Sequence, residues 1–173
     1  DSKVGGISLN AGYPYSEHLS QGWGYTIKQQ KIFNVPNNAS VFVQDAATGW
    51  DTVSEVSHSI TYDRRDSRID PTKGYFGKLS TAIAGLGGSV AYARNRIDAG
   101  YYYPITEQLV ASVTGQGGII RGLGEDVRLL DRFYIGAWEV RGFKTDGIGP
   151  RDTTTKDALG AENYYAGSLQ LTF

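Results

Sequence analysis

Along much of this chain apolar and polar side chains alternate one for one, the period of a β-strand whose two faces meet different surroundings. Ile7, Leu9, Ala11 and Tyr13 share a face opposite Ser8, Asn10 and Gly12, and Trp23, Tyr25 and Ile27 lie opposite Thr26, Lys28 and Gln30. Val56, Ile60 and Tyr62 oppose Ser57, Ser59, Thr61 and Asp63, with His58 as a blemish on the apolar side. Tyr75, Leu79 and Ile83 oppose Lys78 and Ser80. Ala91, Ala93, Ile97, Ala99, Tyr101 and Tyr103 oppose Arg94, Arg96 and Asp98, and Asn95 interrupts the apolar side. Leu109, Ala111, Val113 and Ile119 oppose Ser112, Thr114 and Gln116; Tyr165, Leu169, Leu171 and Phe173 oppose Ser168, Gln170 and Thr172. These seven stretches predict seven strands and little helix, since no comparable 3.6-residue period appears.

The connections predict how the strands are arranged. Residues 14–20, 66–73 and 104–107 are short and rich in turn formers. On the other side stand residues 33–51, a tight turn at 86–89 and a long segment at about 122–161. Short turns on one rim and mostly longer loops on the other mark an antiparallel up-and-down transmembrane β-barrel. Tyr13, Tyr15, Trp23, Tyr25, Tyr62, Tyr75, Phe76, Tyr101, Tyr102, Tyr103 and Phe173 fall toward the short-turn rim, as an interfacial aromatic girdle would. A soluble barrel with tyrosines packed at one end fits the same pattern. An eighth strand near residues 40–43 would make the count even, as in single-chain bacterial barrels.

Composition removes other classes. The 173 residues fit one domain, and 17 basic against 18 acidic side chains supply no basic stripe for nucleic acid. No run is long and apolar enough for a spanning helix, and mean hydropathy is -0.34. With no cysteine there are no disulfides or zinc–cysteine sites. His18 and His58 lack metal-ligand spacing, and no nucleophile, zincin or phosphate-loop motif is present, so neither metal, cofactor nor enzymatic activity is expected. The glycine runs at 85–88 and 115–118 fit strand curvature or turns better than a phosphate cradle. Asn38, Ala39 and Ser40 match a glycosylation sequon, incidental in a bacterial envelope. The 23 glycines and 12 tyrosines suit a barrel, and the absence of methionine suits a piece cut from a longer chain.

The long segment is the place to seek function, because structureless connections above about 15 residues are uncommon. It contains Phe133, Tyr134, Ile135 and Gly136, then Val140, Arg141, Gly142 and Phe143, then Ile148, Gly149 and Pro150. It is too apolar and aromatic for a disordered tail. These landmarks resemble the sixth extracellular loop in the barrel domain of the BamA family of outer-membrane assembly factors, in the bacterial surface antigen superfamily. Residues 70–76, Asp-Pro-Thr-Lys-Gly-Tyr-Phe, look like that family's turn between its eighth and ninth strands, and residues 166–169 like the strand after the loop. The likeness keeps its order over most of the chain.

The resemblance implies a loop that folds back into the lumen and holds the arginine of Val140–Arg141–Gly142–Phe143 against the inner wall, supported by Phe133, Gly136, Ile148, Gly149 and Pro150. The residues suit that role: Arg141 offers a planar five-donor fork, Gly142 allows positive φ or close approach, and Phe143 suits an apolar niche. Lys78, Arg94, Arg96 and Asp98 are expected to line the lumen, solvated rather than paired with the loop. Ala137 stands where the family usually has a second glycine, and seven strands are fewer than the family's sixteen; by resemblance they are the sixth to twelfth. The implied setting is the bacterial outer membrane, with partners in the lipid bilayer, nascent outer-membrane proteins and assembly-complex lipoproteins, the last through POTRA domains and other regions absent here. A two-partner secretion transporter shares the loop, and a small complete structural barrel is a third reading. Unpaired sheet edges would favour self-association.

Overall fold

The computed structural model describes every residue except 48, 138, 139 and 141. Seven strands form one antiparallel sheet in sequence order: β1 (Ser2–Pro14), β2 (Leu19–Ile32), β3 (Asp51–Asp63), β4 (Gly74–Ala84), β5 (Tyr92–Pro104), β6 (Val110–Gly122) and β7 (Asn163–Thr172). Each pairs only with its sequence neighbours, across the long connections as well as the short turns, and β1 and β7 form the edges of the sheet. The eighth strand that would have made the count even does not form: residues Val41–Asp45 are a short helix, α1. The amides of Gln44 and Ala46 bond back to the carbonyls of Ser40 and Phe42. The Gln44 side chain then donates to the carbonyls of Asn37 and Ala39, closing the turn on itself and leaving no free strand edge there.

Register follows the alternation. Ile7 lies opposite Ile27, Leu9 opposite Tyr25, Ile60 opposite Leu79, Leu79 opposite Ile97, and Val113 opposite Leu169, so the apolar stripes share one face. That face is uncovered: Ile7 is 70% exposed, Leu9 68% and Ile97 55%. A dry interior would have hidden these side chains; hydrocarbon is the medium that suits them. The opposite face carries the hydroxyls, amides and charges.

Rows of paired residues run obliquely to the rims. One passes from Tyr13 through Gln21, Ile60, Leu79, Ile97 and Gly117 to Tyr165. It starts at the short-turn end of β1 and finishes near the long-loop end of β7, as strands tilted against a barrel axis require. Tyr13, Tyr62, Tyr75, Tyr101 and Tyr103 all stand exposed toward the short-turn rim. Phe76 and Tyr102 leave the expected girdle, because alternation turns both to the polar face. There Phe76 lies under the Arg65 guanidinium, 4.4 Å from ring to cation.

The buried core sits at the long-loop end of the polar face. Val53, Ala84, Tyr92 and Ile120 project from four adjacent strands, and Val90 and Val127 close over them. The 123–162 connection therefore packs on the sheet.

At the opposite rim the β3–β4 turn is organised by Asp66, whose carboxylate accepts from the Thr72 hydroxyl and from the amides of Ser67, Thr72 and Lys73.

Two expectations follow. Ile97→Arg, in the apolar stripe, should lower stability in vesicles by about 2–4 kcal/mol, whereas Ser112→Asn on the polar face should cost little, read from urea midpoints. In the turn, the Thr72 hydroxyl and the neighbouring amides hold the Asp66 carboxyl down to about 2, from 3.8. A lowered value means the folded turn favours the carboxylate, so this support is complete above pH 3.8 and is lost as pH falls through about 2. The Thr72 and Lys73 amide resonances should shift with that midpoint; an Asp66→Asn variant should show no such transition.

Candidate functional site

The site is the polar face of the sheet together with the long connection that lies on it. The wall charges are organised in pairs. The Glu55 carboxylate accepts from the Tyr92 hydroxyl at 2.6 Å and from Arg94 Nη2 at 2.6 Å. Arg96 pairs with Asp98 at 3.2 Å and donates to Gln116 Oε1 at 2.9 Å. Lys78 lies opposite Asp98 in register and makes no ion pair within 4 Å among the described residues. All four wall charges expected from the sequence thus lie on the polar face, and two arginines are engaged with acidic neighbours.

The connection is tied down first at Asp131. A turn of 3-10 helix, Leu129–Asp131, aims its carboxylate at β2. Oδ1 accepts from Lys28 Nζ at 3.2 Å and Oδ2 from Gln30 Nε2 at 2.9 Å. Asp131 and Gln30 are both buried and Lys28 is partly so, which shields the carboxylate end of this anchor from water and salt. Leu129 and Val127 are also buried, while Phe133 packs against the core and lies 4.7 Å from the Tyr164 ring.

Beyond this anchor the connection stitches itself together. Phe133 bridges Ala161, Ile135 bridges Ile148, and Arg151 bridges Ala158. Arg132 donates to the carbonyls of Val127 and Leu159, and the Tyr134 hydroxyl to the Leu129 carbonyl. Burial pushes the Tyr134 phenol up, keeping it a neutral donor. Gly136 is a point of close approach: a Cβ there would lie 2.6 Å from both the Lys144 carbonyl oxygen and the Asp146 amide. The Pro150 carbonyl accepts from the Leu159 amide, so Phe133, Gly136, Ile148 and Pro150 all take part in holding the segment's path.

The tetrapeptide is only partly visible. Arg141 lies outside the described residues. Val140 is half-buried and donates its amide to the Gly136 carbonyl at 2.9 Å; Gly142 adopts φ +92°, and Phe143 is 51% exposed. The apolar niche suggested for Phe143 is not filled in this structure.

A second tie joins the two large connections. Ser40, buried ahead of α1, donates its amide to Asp157 Oδ2 and its hydroxyl to Asp152 Oδ2, both at 2.7 Å. The Ser40 hydroxyl and the amides of Thr155 and Thr154 hold the Asp152 carboxyl down to about 2, so it stays an acceptor at any physiological pH.

Sequence reasoning passed over Glu55, Asp131 and the Ser40 clasp. Glu55 was legible, since alternation from Ser57 places it on the polar face. Asp131 stands directly before the aromatic run, but nothing local assigns its partners, which lie about a hundred residues away. Among the described residues no cluster of three or more His, Asp or Glu could hold a metal. What the arrangement offers is a polar wall, paired charges and a docked, self-braced segment.

Comparison with known proteins gives this arrangement a context. The profile of the Omp85 superfamily domain matches residues 1–173. An outer membrane protein assembly factor BamA of Neorickettsia risticii (strain Illinois) is 32% identical over 172 residues, covering 98% of this chain and 23% of that protein. The sorting and assembly machinery component 50 homolog of Mus musculus is 34% identical over 127 residues, covering 72% of this chain and 27% of that protein. In fold, the chain is similar to the crystal structure of BamA from Haemophilus ducreyi lacking POTRA domains 1-3, with a TM-score of 0.78, 20% identity, and coverage of 98% of this chain and 37% of the other. The chain thus spans about a quarter of the length of the curated relatives it matches.

Removing the buried anchor should loosen the segment without unfolding the sheet. Asp131→Ala is expected to cost about 1–3 kcal/mol of local stability, because Gln30 and Lys28 both lose their acceptor. Hydrogen exchange should report it as faster exchange of the Phe133 and Ala161 amides, with the β3–β4 ladder unchanged.

Proposed function

The chain belongs to the Omp85 superfamily, and on that premise we propose that it is a section of an outer-membrane barrel that assembles other barrel proteins into the bilayer. The observation that carries this reading is the placement of the long connection. It lies on the polar face of a sheet whose other face is apolar and exposed, anchored by the buried Lys28–Asp131–Gln30 contact. The long-loop rim is then the extracellular one, and the short turns face the periplasm.

The work requires no bond chemistry. An incoming strand has backbone groups that lipid cannot satisfy, and pairing with a barrel strand satisfies them. Whatever seam offers that edge lies outside these seven strands, as do the domains that would receive clients and contact assembly lipoproteins. The contribution of this section is the wall and its loop. Arg141 is the residue proposed to clamp the loop tip, its fork engaging a carboxylate of the inner wall in two parallel bonds. The bond from the Val140 amide to the Gly136 carbonyl and the positive φ of Gly142 support a tight, defined path on either side of it.

The test is assisted folding. The complete polypeptide, reconstituted in phospholipid vesicles, should accelerate folding of an urea-unfolded outer-membrane barrel, followed by gel mobility. Arg141→Ala should reduce that acceleration by about ten-fold or more, and Arg141→Lys should not restore it, because an ammonium lacks the planar fork. The seven strands alone should be inactive. Full activity in Arg141→Ala would remove the clamp, and activity in the isolated seven strands would remove the requirement for an external seam.

A further inference from the structure

The apolar face of β2–β5 is crossed by a continuous line of polar side chains, apart from Ser54, which is buried and bonded to the Tyr25 hydroxyl. Trp23, His58, Thr81 and Asn95 occupy a single row across β2, β3, β4 and β5. Gln21, one outward step below Trp23, accepts or donates to His58 Nε2 at 3.3 Å. The Trp23 ring covers the imidazole at 4.3 Å between centroids. Thr81 Oγ1 donates to Asn95 Oδ1 at 2.8 Å. His58 and Thr81 are direct cross-strand neighbours, so the four polar side chains form an unbroken sequence from β2 to β5.

Their depth makes them notable. At roughly 2.5 Å of height per residue in a strand tilted by about 40°, a shift of four to six residues corresponds to about 10–15 Å. His58 stands four residues from the girdle Tyr62, Thr81 six from Tyr75, and Asn95 six from Tyr101. The polar line therefore lies near the middle of an apolar band that is about 25 Å tall in such barrels. Gln21, by contrast, shares a row with the girdle Tyr13 and lies at the interface. Hydrocarbon offers these groups nothing, and each unsatisfied donor there costs several kcal/mol. The pairs within the line meet part of that demand. Asn95 remains exposed, and beyond its bond from Thr81 its side chain makes no hydrogen bond among the described residues.

We infer that this line is a hydrated track on the membrane-facing surface, along which water and lipid headgroups reach from the short-turn leaflet toward mid-bilayer beside β3–β5. Continuity decides for water over a docked protein. A contact patch for another chain needs polar groups only where the partner sits, whereas this line begins at the interface with Gln21 and runs without a break to Asn95. The oblique register is what permits it, because a single row of paired residues climbs as it crosses the sheet. The inference depends on these strands spanning a membrane and is independent of Arg141 and of assisted folding.

The test uses the complete polypeptide refolded into phosphatidylcholine vesicles, spin-labelled one site at a time through Ile97→Cys or Val56→Cys beside the track. Ile27→Cys and Leu169→Cys serve as labels away from it. Deuterium modulation from heavy water should be severalfold stronger at the first pair than at the second. Replacing the line with His58→Phe, Thr81→Val and Asn95→Leu should bring the first pair down to the level of the second. Equal, dry readings at all four sites would overturn the track. So would dry sites beside the line whose labels are immobilised and crosslink to another polypeptide, since that is a protein contact. Should the triple variant fail to fold, Asn95→Leu alone serves, and the comparison among the four sites in the otherwise native chain still decides.

Discussion

The constraint on which this structure depends is that hydrocarbon accepts no unpaired backbone group. Six antiparallel pairings in strict sequence order give every interior strand a partner on both sides and leave the demand at β1 and β7. From that follows the division of labour between the faces. Once the ladders hold the backbone, side chains on one face need only be apolar, and those on the other are free to be charged. The pairs Glu55–Arg94 and Arg96–Asp98 and the anchor Lys28–Asp131–Gln30 are possible because the sheet screens them from lipid.

Much of this was legible in the residues. Period-two alternation assigns every strand and, through Ile7, Leu79 and Leu169, the face each presents, because a register slip of one would invert the whole pattern. It is silent where a short segment has no period to read. Residues 40–43 are too few to distinguish strand from helix, and the deciding interaction, the Gln44 side chain turning back to Asn37 and Ala39, is specific to one side chain. Aromatic character also misled by itself. Phe76 and Tyr102 follow girdle tyrosines by one position, and parity sends them to the other face.

The site was legible in outline and opaque in its fastenings. Phe133, Gly136, Ile148 and Pro150 are where family likeness led, and contacts within the segment explain their chemistry, most directly the space denied to any Cβ at Gly136. The wall side of the contact could not be read, because Lys28 and Gln30 are separated from Asp131 by most of the chain. Alternation lists candidate partners for a buried carboxylate but cannot choose among them. The polar line on the outer face shows the reverse case. His58 and Asn95 stand out in the sequence as flaws, and only register reveals that they are aligned.

The Ser40 clasp carries a consequence for how this region tolerates change. One residue grips two aspartates through both its backbone and its side chain, so its distance from the end of β2 is fixed by geometry. Insertions or deletions within 33–39 would pull the serine off its acceptors, whereas α1 lies beyond the fastening. Length variation among related chains should therefore accumulate after the serine and spare the arm before it, a spacing rule written by two hydrogen bonds.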